Sequence, residues 1–179
     1  MSAWTDHVVR WKDCTACPLS QQRTNIVLAR GQVPYDVVFI GEAPGASEDA
    51  LGQAFVGPTG HLMDQIIERA LPPTVTYALT NLVCCYPAEA KARGDNEPEH
   101  DEILACRPRL EEFISISKPR LIVRVGSLAT EYVANINREA RVVNVVHPAA
   151  ILRMPLVQKQ MAVQRAVIIL RNVVADMLQ

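Results

Sequence analysis

Residues 36–49 read DVVFIGEAPGASED, and the fold turns on how that stretch divides. Its first half is a short, β-branched apolar run, the signature of a strand in the core of a sheet. Its second half packs two glycines and a proline into a turn at the strand's end. Three further runs have the same strand character: Tyr77–Val83 (YALTNLV), Arg120–Gly126 (RLIVRVG) and Arg141–His147 (RVVNVVH). Between the first two, Leu62–Leu71 carries apolar residues at 62, 63, 66, 67, 70 and 71, a helical spacing with a start signal at Thr59-Gly60. Ile103–Ile116 and Leu156–Leu178 repeat that pattern, while the polar stretch Ala88–His100 reads as a loop within the domain. Strands alternating with helices pair in parallel through right-handed crossovers. The expected fold is therefore α/β: a three-layer α/β/α sandwich around a short, mainly parallel four-stranded sheet.

Composition agrees with one soluble domain over residues 1–179: of these residues 49% are hydrophobic and 21% charged. A disordered chain, a fibre and a two-domain protein fit poorly. No apolar run approaches the ~20 residues of a membrane span. Five cysteines, an odd number with no leader peptide ahead of them, point to a reducing, cytoplasmic setting in which thiols are free or bound to metal. The net charge of −1 hides a polarity, because residues 113–179 hold 9 basic and 3 acidic groups. That basic third suits a nucleic-acid face, or the solvated sides of amphipathic helices.

Cys14 and Cys17 form a C-x-x-C before Pro18, whereas Cys85 and Cys106 lie far downstream. A redox C-x-x-C belongs at the end of a strand opening a helix, and this one precedes every strand. Four thiolates with one close pair suit a tetrahedral zinc ion and a 4Fe-4S cubane alike, and buried unliganded thiols are the plain alternative. Cys84 is left over. If strand geometry continues through it, Cys84 and Cys85 face opposite ways, and Cys84 behaves as a small buried hydrophobe.

In open α/β sheets ligands bind beyond the carboxyl ends of the strands, and three of the four strand ends carry distinctive residues: Gly41-Glu42-Ala43-Pro44-Gly45, Cys84-Cys85 and His147-Pro148. The glycine-rich turn lacks the lysine of a P-loop and the spacing of a dinucleotide fingerprint.

Taken in order, the motifs resemble those of the iron-sulfur, or family-4 type, uracil-DNA glycosylases. The likeness runs from Cys14-x-x-Cys17-Pro18-Leu19 with Arg23, through Gly41–Gly45 with Glu48-Asp49, to Phe55-Val56-Gly57 with Gly60 and Asp64. It continues through Thr80–Val83, Cys85 and Pro87, then Pro98, Glu102, Cys106 and Pro108, then Lys118-Pro119 and Gly126, and ends in His147-Pro148-Ala149 with Leu152-Arg153. The resemblance implies the uracil-DNA glycosylase sandwich, a 4Fe-4S cluster on Cys14, Cys17, Cys85 and Cys106 clasping the N-terminal segment, and uracil in DNA as substrate. Free uracil would be the product and the protein a monomer. Departures from the family pattern are a longer Cys85-to-Cys106 interval, Asp95-Asn96 where Asn-Arg is common, a short stretch from Gly126 to His147, and Ala149 where serine is frequent. They concern the DNA-facing side.

Breaking an N-glycosidic bond leaves negative charge on the base and positive charge on the sugar, so such a site needs donors to the pyrimidine and a carboxylate near the sugar. The target must be flipped out of the duplex. Gly41, Phe55 and Asn81 are the expected base pocket: Phe55 as stacking platform, Asn81 matching O4 and N3–H of uracil. His147, held extended by Pro148, is the expected electrophile at O2. Ala43 stands where other branches of the superfamily carry a water-activating aspartate, so Glu42 is the first candidate for that work and Glu48 the second. A loop at Ala149–Arg153 would push Leu152 into the vacated space while Arg153 meets a phosphate. The competing class is a binding module that recognises uracil or a modified base with little turnover, or a glycosylase for a different modified base.

Overall fold

The computed structural model describes residues 2–92, 94, 97–133 and 139–179. The Asp95-Asn96 departure noted above lies outside them. Five strands form one sheet: β1 (Arg30–Gly31), β2 (Val37–Gly41), β3 (Tyr77–Asn81), β4 (Leu121–Val125) and β5 (Arg141–Val145). Their order is β1-β3-β2-β4-β5, with β3, β2, β4 and β5 mutually parallel and β1 antiparallel at one edge. The sheet thus has five strands where four were expected. The additional one is two residues long, too short to leave a periodicity in the sequence.

The helices are α1 (Ala3–Trp11), α2 (Ala46–Leu51), α3 (Pro58–Ala70), α4 (Ala88–Ala92), α5 (His100–Ser117), α6 (Ser127–Tyr132), α7 (Pro148–Leu152) and α8 (Leu156–Leu178). A 3₁₀ turn covers Pro18–Gln21. No described helix is long and apolar enough to cross a membrane.

The central strand β2 is buried on both faces, and its alternation divides the core in two. Val37 and Phe39 join Leu121, Val123, the apolar stripe of α3 and that of α8 on one side. Val38 and Ile40 join Ile122 and the stripe of α5 on the other, with Leu19 and the buried cysteines. These two clusters are the interfaces of the three expected layers. From β2 the chain reaches β3 through α3 on the first face, then returns past β2 to β4 through α5 on the second. Reversing direction while keeping right-handed crossovers requires that change of face. It leaves a crevice at the carboxyl end of β2, where the order reverses.

Helix α1 lies outside the expected elements. Ser2 caps it by accepting from the Thr5 amide at 3.1 Å, and it docks on α5 through an aromatic cluster. Trp4 stacks on His7 with ring centroids 5.5 Å apart, and both rings reach Phe113 of α5. Burying a ring such as Phe113 contributes on the order of 1.5–3 kcal/mol. Fully buried His7 pairs through Nδ1 with Glu112 at 3.1 Å, while its Nε2 has no partner among the described residues.

Burial holds the His7 imidazole below its ordinary pKa of 6.5, against the opposing pull of Glu112. The unfolded chain therefore takes up a proton that the folded one resists, and stability declines as pH falls below 6.5. Urea midpoints measured from pH 8 to pH 5 should show this decline, and His7→Phe should flatten it. An equal decline in the variant would remove His7 as its source.

Candidate active site and thiol pocket

The carboxyl ends of β2, β3, β4 and β5 open into one cleft of roughly 1490 Å³, lined by Glu42, Phe55, Asn81, Gly126 and His147 among others. Gln158, Met161 and Arg165 of α8 form its far wall. The cleft therefore gathers Glu42, Phe55, Asn81 and His147, which the sequence singled out from positions far apart in the chain.

Phe55 and Asn81 are neighbours because residue 41 has no side chain. A Cβ at Gly41 would sit 2.6 Å from Asn81 Oδ1 and 2.7 Å from Phe55 Cζ. Phe55 is held at φ 57°, a left-handed backbone conformation that costs a bulky residue about 1–3 kcal/mol. Two side chains grip the segment from opposite sides. Glu48, buried, accepts from the amides of Gly45 at 3.1 Å, Val56 at 3.0 Å and Gly57 at 2.8 Å. Arg30 donates to the carbonyls of Ala54 at 2.8 Å and Phe55 at 3.1 Å, and pairs with Asp64 at 2.6 Å. Glu48 is thus occupied by backbone amides. Arg30, which the sequence reading passed over, is the matching clamp.

His147 caps α7, and its Nδ1 accepts from the Ala149 amide at 3.2 Å. An imidazole accepting at Nδ1 carries its proton on Nε2, so the ring is set as a donor at that atom. Gly126, at φ 97°, adjoins both His147 and Glu42: a Cβ there would lie 2.8 Å from Glu42 Oε1 and 3.2 Å from His147 Cβ. Only glycine accommodates both the backbone and the crowding.

Residues 148–152 form a short helix where a loop was expected, because Pro148 occupies its first position behind the His147 cap. Half-buried Leu152 leans on the hydrophobic core, so it does not stand free in the cleft mouth. Arg153 follows it, exposed on the cleft wall, and Leu156 is the first fully projecting apolar side chain beyond, 70% exposed.

The cysteines lie on the α5 side of the sheet. The strand expected to run to Val83 stops at Asn81, since the Cys84 carbonyl accepts from Val27 at 2.8 Å and the chain bends away. Consequently Cys84 and Cys85 are both buried in one cluster and do not face opposite ways, and Cys84 Sγ lies 3.6 Å from Cys106 Sγ. Arg23 donates to Cys85 Sγ at 3.2 Å. Hydrogen bonds from Cys84 and Arg23 hold the Cys85 thiol below its ordinary pKa, whereas burial and the neighbouring Cys106 and Cys14 raise that of Cys17.

Arg109, also missed in the sequence, is 1% exposed among these thiols. A signal for it exists: it falls on the buried stripe of α5 with Ile103, Cys106, Leu110, Phe113 and Ile114. Its Nη2 approaches Cys106 Sγ at 3.7 Å and its Nε has no partner among the described residues. Among the described residues no three histidine, cysteine or acidic side chains converge closely enough to hold a metal ion. The donor set nonetheless fits a sulfur-bound anionic cluster in kind: soft thiols share one pocket, two guanidiniums face them, and one buried N–H awaits an acceptor.

A family model described as the uracil DNA glycosylase superfamily matches residues 29–171. A protein of Sulfurisphaera tokodaii named Type-4 uracil-DNA glycosylase is 40% identical over 121 residues, which are 67% of this chain and 53% of that protein. A protein of the same name from Pyrobaculum aerophilum is 37% identical over 120 residues, 67% of this chain and 59% of its own length. The chain therefore spans just over half the length of these two relatives. A third, from Archaeoglobus fulgidus, is 25% identical over 181 residues, covering 89% of this chain and 88% of that one.

Gly41→Ala tests how the cleft is built. Overpacking of this kind costs about 1–3 kcal/mol, and a crystal structure of the variant should show Phe55 or Asn81 displaced while Glu42 and His147 keep their positions. Unmoved residues at 55 and 81 would refute the argument from contact.

Proposed function

The chain belongs to the uracil DNA glycosylase superfamily, and from that membership we propose that it is a DNA repair glycosylase that hydrolyses the N-glycosidic bond of uracil and leaves an abasic site. The observation that carries the reading is the shared cleft of Asn81, Phe55, His147 and Glu42 at the carboxyl edge of the sheet. A uracil flipped into it would stack on Phe55 and be read by the Asn81 amide, which donates to O4 and accepts from N3–H. As the C1′–N1 bond breaks, its electron pair moves onto the base, and His147 Nε2–H would donate to O2 where the charge gathers. Glu42, across Gly126, would face the sugar, stabilising its positive charge and orienting the water whose oxygen bonds to C1′, while the proton that water loses balances the one taken up by the departing uracil anion. Glu48 is committed to three amides, which argues for a scaffolding role. Arg153 would meet a phosphate. We take the chain to be a single domain acting as a cytoplasmic monomer, with free uracil as product.

In this reading Cys14, Cys17, Cys85 and Cys106 hold a 4Fe-4S cluster. Bound there, it would supply a four-point cross-link between the N-terminal segment and the region from Cys85 to Cys106. Anaerobically purified protein should be brown, and Cys106→Ala should lose iron. Stoichiometric zinc in place of iron would remove the cluster from this proposal.

His147→Ala and Asn81→Asp should fail differently. The first removes a donor needed chiefly in the transition state, so single-turnover excision from a uracil-containing oligonucleotide should fall roughly 10²–10³-fold with DNA binding little changed. The second alters the pattern read on the base, so uracil excision should drop and any gain should favour cytosine. Full activity in His147→Ala would dismiss the electrophile assignment. Wild-type protein that binds uracil-DNA but releases no base, tested beside thymine, hypoxanthine and 5-hydroxymethyluracil, would favour a binding module.

A further inference from the structure

A buried guanidinium needs acceptors for its fork of N–H groups and negative charge nearby. The acceptors of Arg109 among the described residues are Thr80 Oγ1 at 2.8 Å, the carbonyls of Asn81 at 2.6 Å and Leu82 at 3.0 Å, and Cys106 Sγ at 3.7 Å. None is a carboxylate. Arg109 therefore touches the two functional regions on opposite sides of β3: the backbone of Asn81, which faces the cleft, and a sulfur of the thiol pocket.

We propose that Arg109 is a positioning residue that holds Asn81 in register with the thiolate set and, together with Arg23, supplies the positive charge that this set requires. The inference rests on the reading of Asn81 and of the cluster given above. A cubane held by four thiolates carries roughly two units of net negative charge in its common oxidised form, and charge and hydrogen bonds to sulfur set its potential. Two guanidiniums are in place for it, Arg23 on Cys85 and Arg109 on Cys106. Cys106 and Arg109 are also one helical turn apart on α5, so ligand and cation move as one body. Asn81 can read a base edge only if the end of β3 is fixed. Beyond the sheet, what fixes it is the Arg109 fork, backed by Thr80 Oγ1 donating to the Leu28 carbonyl at 2.7 Å.

The test compares anaerobically purified, iron-loaded wild type with Arg109→Lys, Arg109→Met and Arg107→Met. Arg107 adjoins Cys106 in sequence but spends its guanidinium on Glu111 at 2.7 Å, and its variant should match wild type throughout. Readouts are the potential from a dye-mediated redox titration, the affinity for uracil-containing oligonucleotide, and the single-turnover excision rate. Arg109→Met should lower the potential, since one positive charge is lost, and slow excision at least about tenfold while affinity stays within about twofold. Arg109→Lys keeps the charge but not the planar fork, so its potential should stay near wild type while excision still falls severalfold. Potential following charge while excision follows the fork is a split that simple loss of packing does not produce. Wild-type potential and excision in Arg109→Met would overturn the inference. If that variant fails to fold, Arg109→Lys decides, and full excision in it overturns the inference equally. A wild type that holds no iron, or releases no uracil, defeats the underlying reading instead, whatever the variants do.

Discussion

Between the end of β2 and the start of α3 the backbone must leave the sheet, cross the mouth of the cleft and return, and outside the short helix α2 no ladder or helix satisfies its polar groups among the described residues. Glu48 and Arg30 take over that duty. A carboxylate gathers the N–H groups of residues 45, 56 and 57, and a guanidinium gathers the C=O groups of residues 54 and 55. Charge-assisted hydrogen bonds of this kind are about twice as strong as neutral ones, enough to sustain a phenylalanine in the left-handed region. The position of the ring, the closeness of Asn81 and the need for glycine at 41 all follow from that pair of clamps. Asp49 extends the arrangement by accepting from the amides of Thr24 and Asn25, which ties the N-terminal segment to α2.

The two faces of the sheet are chemically separate. One packs α3 and α8 through a mainly apolar interface, and the other packs α5 over thiols, a buried arginine and a buried tyrosine. A polar, partly charged interior is costly unless its groups answer one another. Here the arginine answers backbone carbonyls and sulfur, and the Tyr35 hydroxyl donates to the Phe113 carbonyl at 2.8 Å. The more demanding chemistry thus lies under α5, behind the strand that carries Asn81.

Much of this architecture was legible in the sequence because it rests on periodicity. The DVVFIG run, the stripe from Leu62 to Leu71 and the long C-terminal helix each repeat one physical preference over many residues, and each appears within a few residues of its expected bounds. Glu42, Asn81 and His147 were legible as candidates because they stood at strand ends, and Phe55 because it lies within the motif that carries the family resemblance. What stayed hidden depends on a single side chain meeting a distant partner. Arg30 shows nothing of its grip on residues 54 and 55 until the loop has closed. Arg109 reads as one more charge in a polar segment until α5 turns it inward. Cys84 was assigned the wrong face because the bend after Asn81 is set by a hydrogen bond from Val27, a contact between segments far apart in the chain. Leu152 was expected to project because Pro148 suggested a loop, whereas proline behind a capping histidine also starts a helix.

The N-terminal helix carries a consequence for synthesis. Its docking surface is α5, and the pair His7 and Glu112 stand 105 residues apart. As a chain emerges from the ribosome, Cys14 and Cys17 appear well before the surface that should receive them, because α5 follows them in the sequence. Until residue 113 has cleared the exit tunnel, the leading segment has no Phe113 to settle on, and its two thiols remain open to solvent. Completion of the pocket is therefore timed by translation itself, and waits for α5.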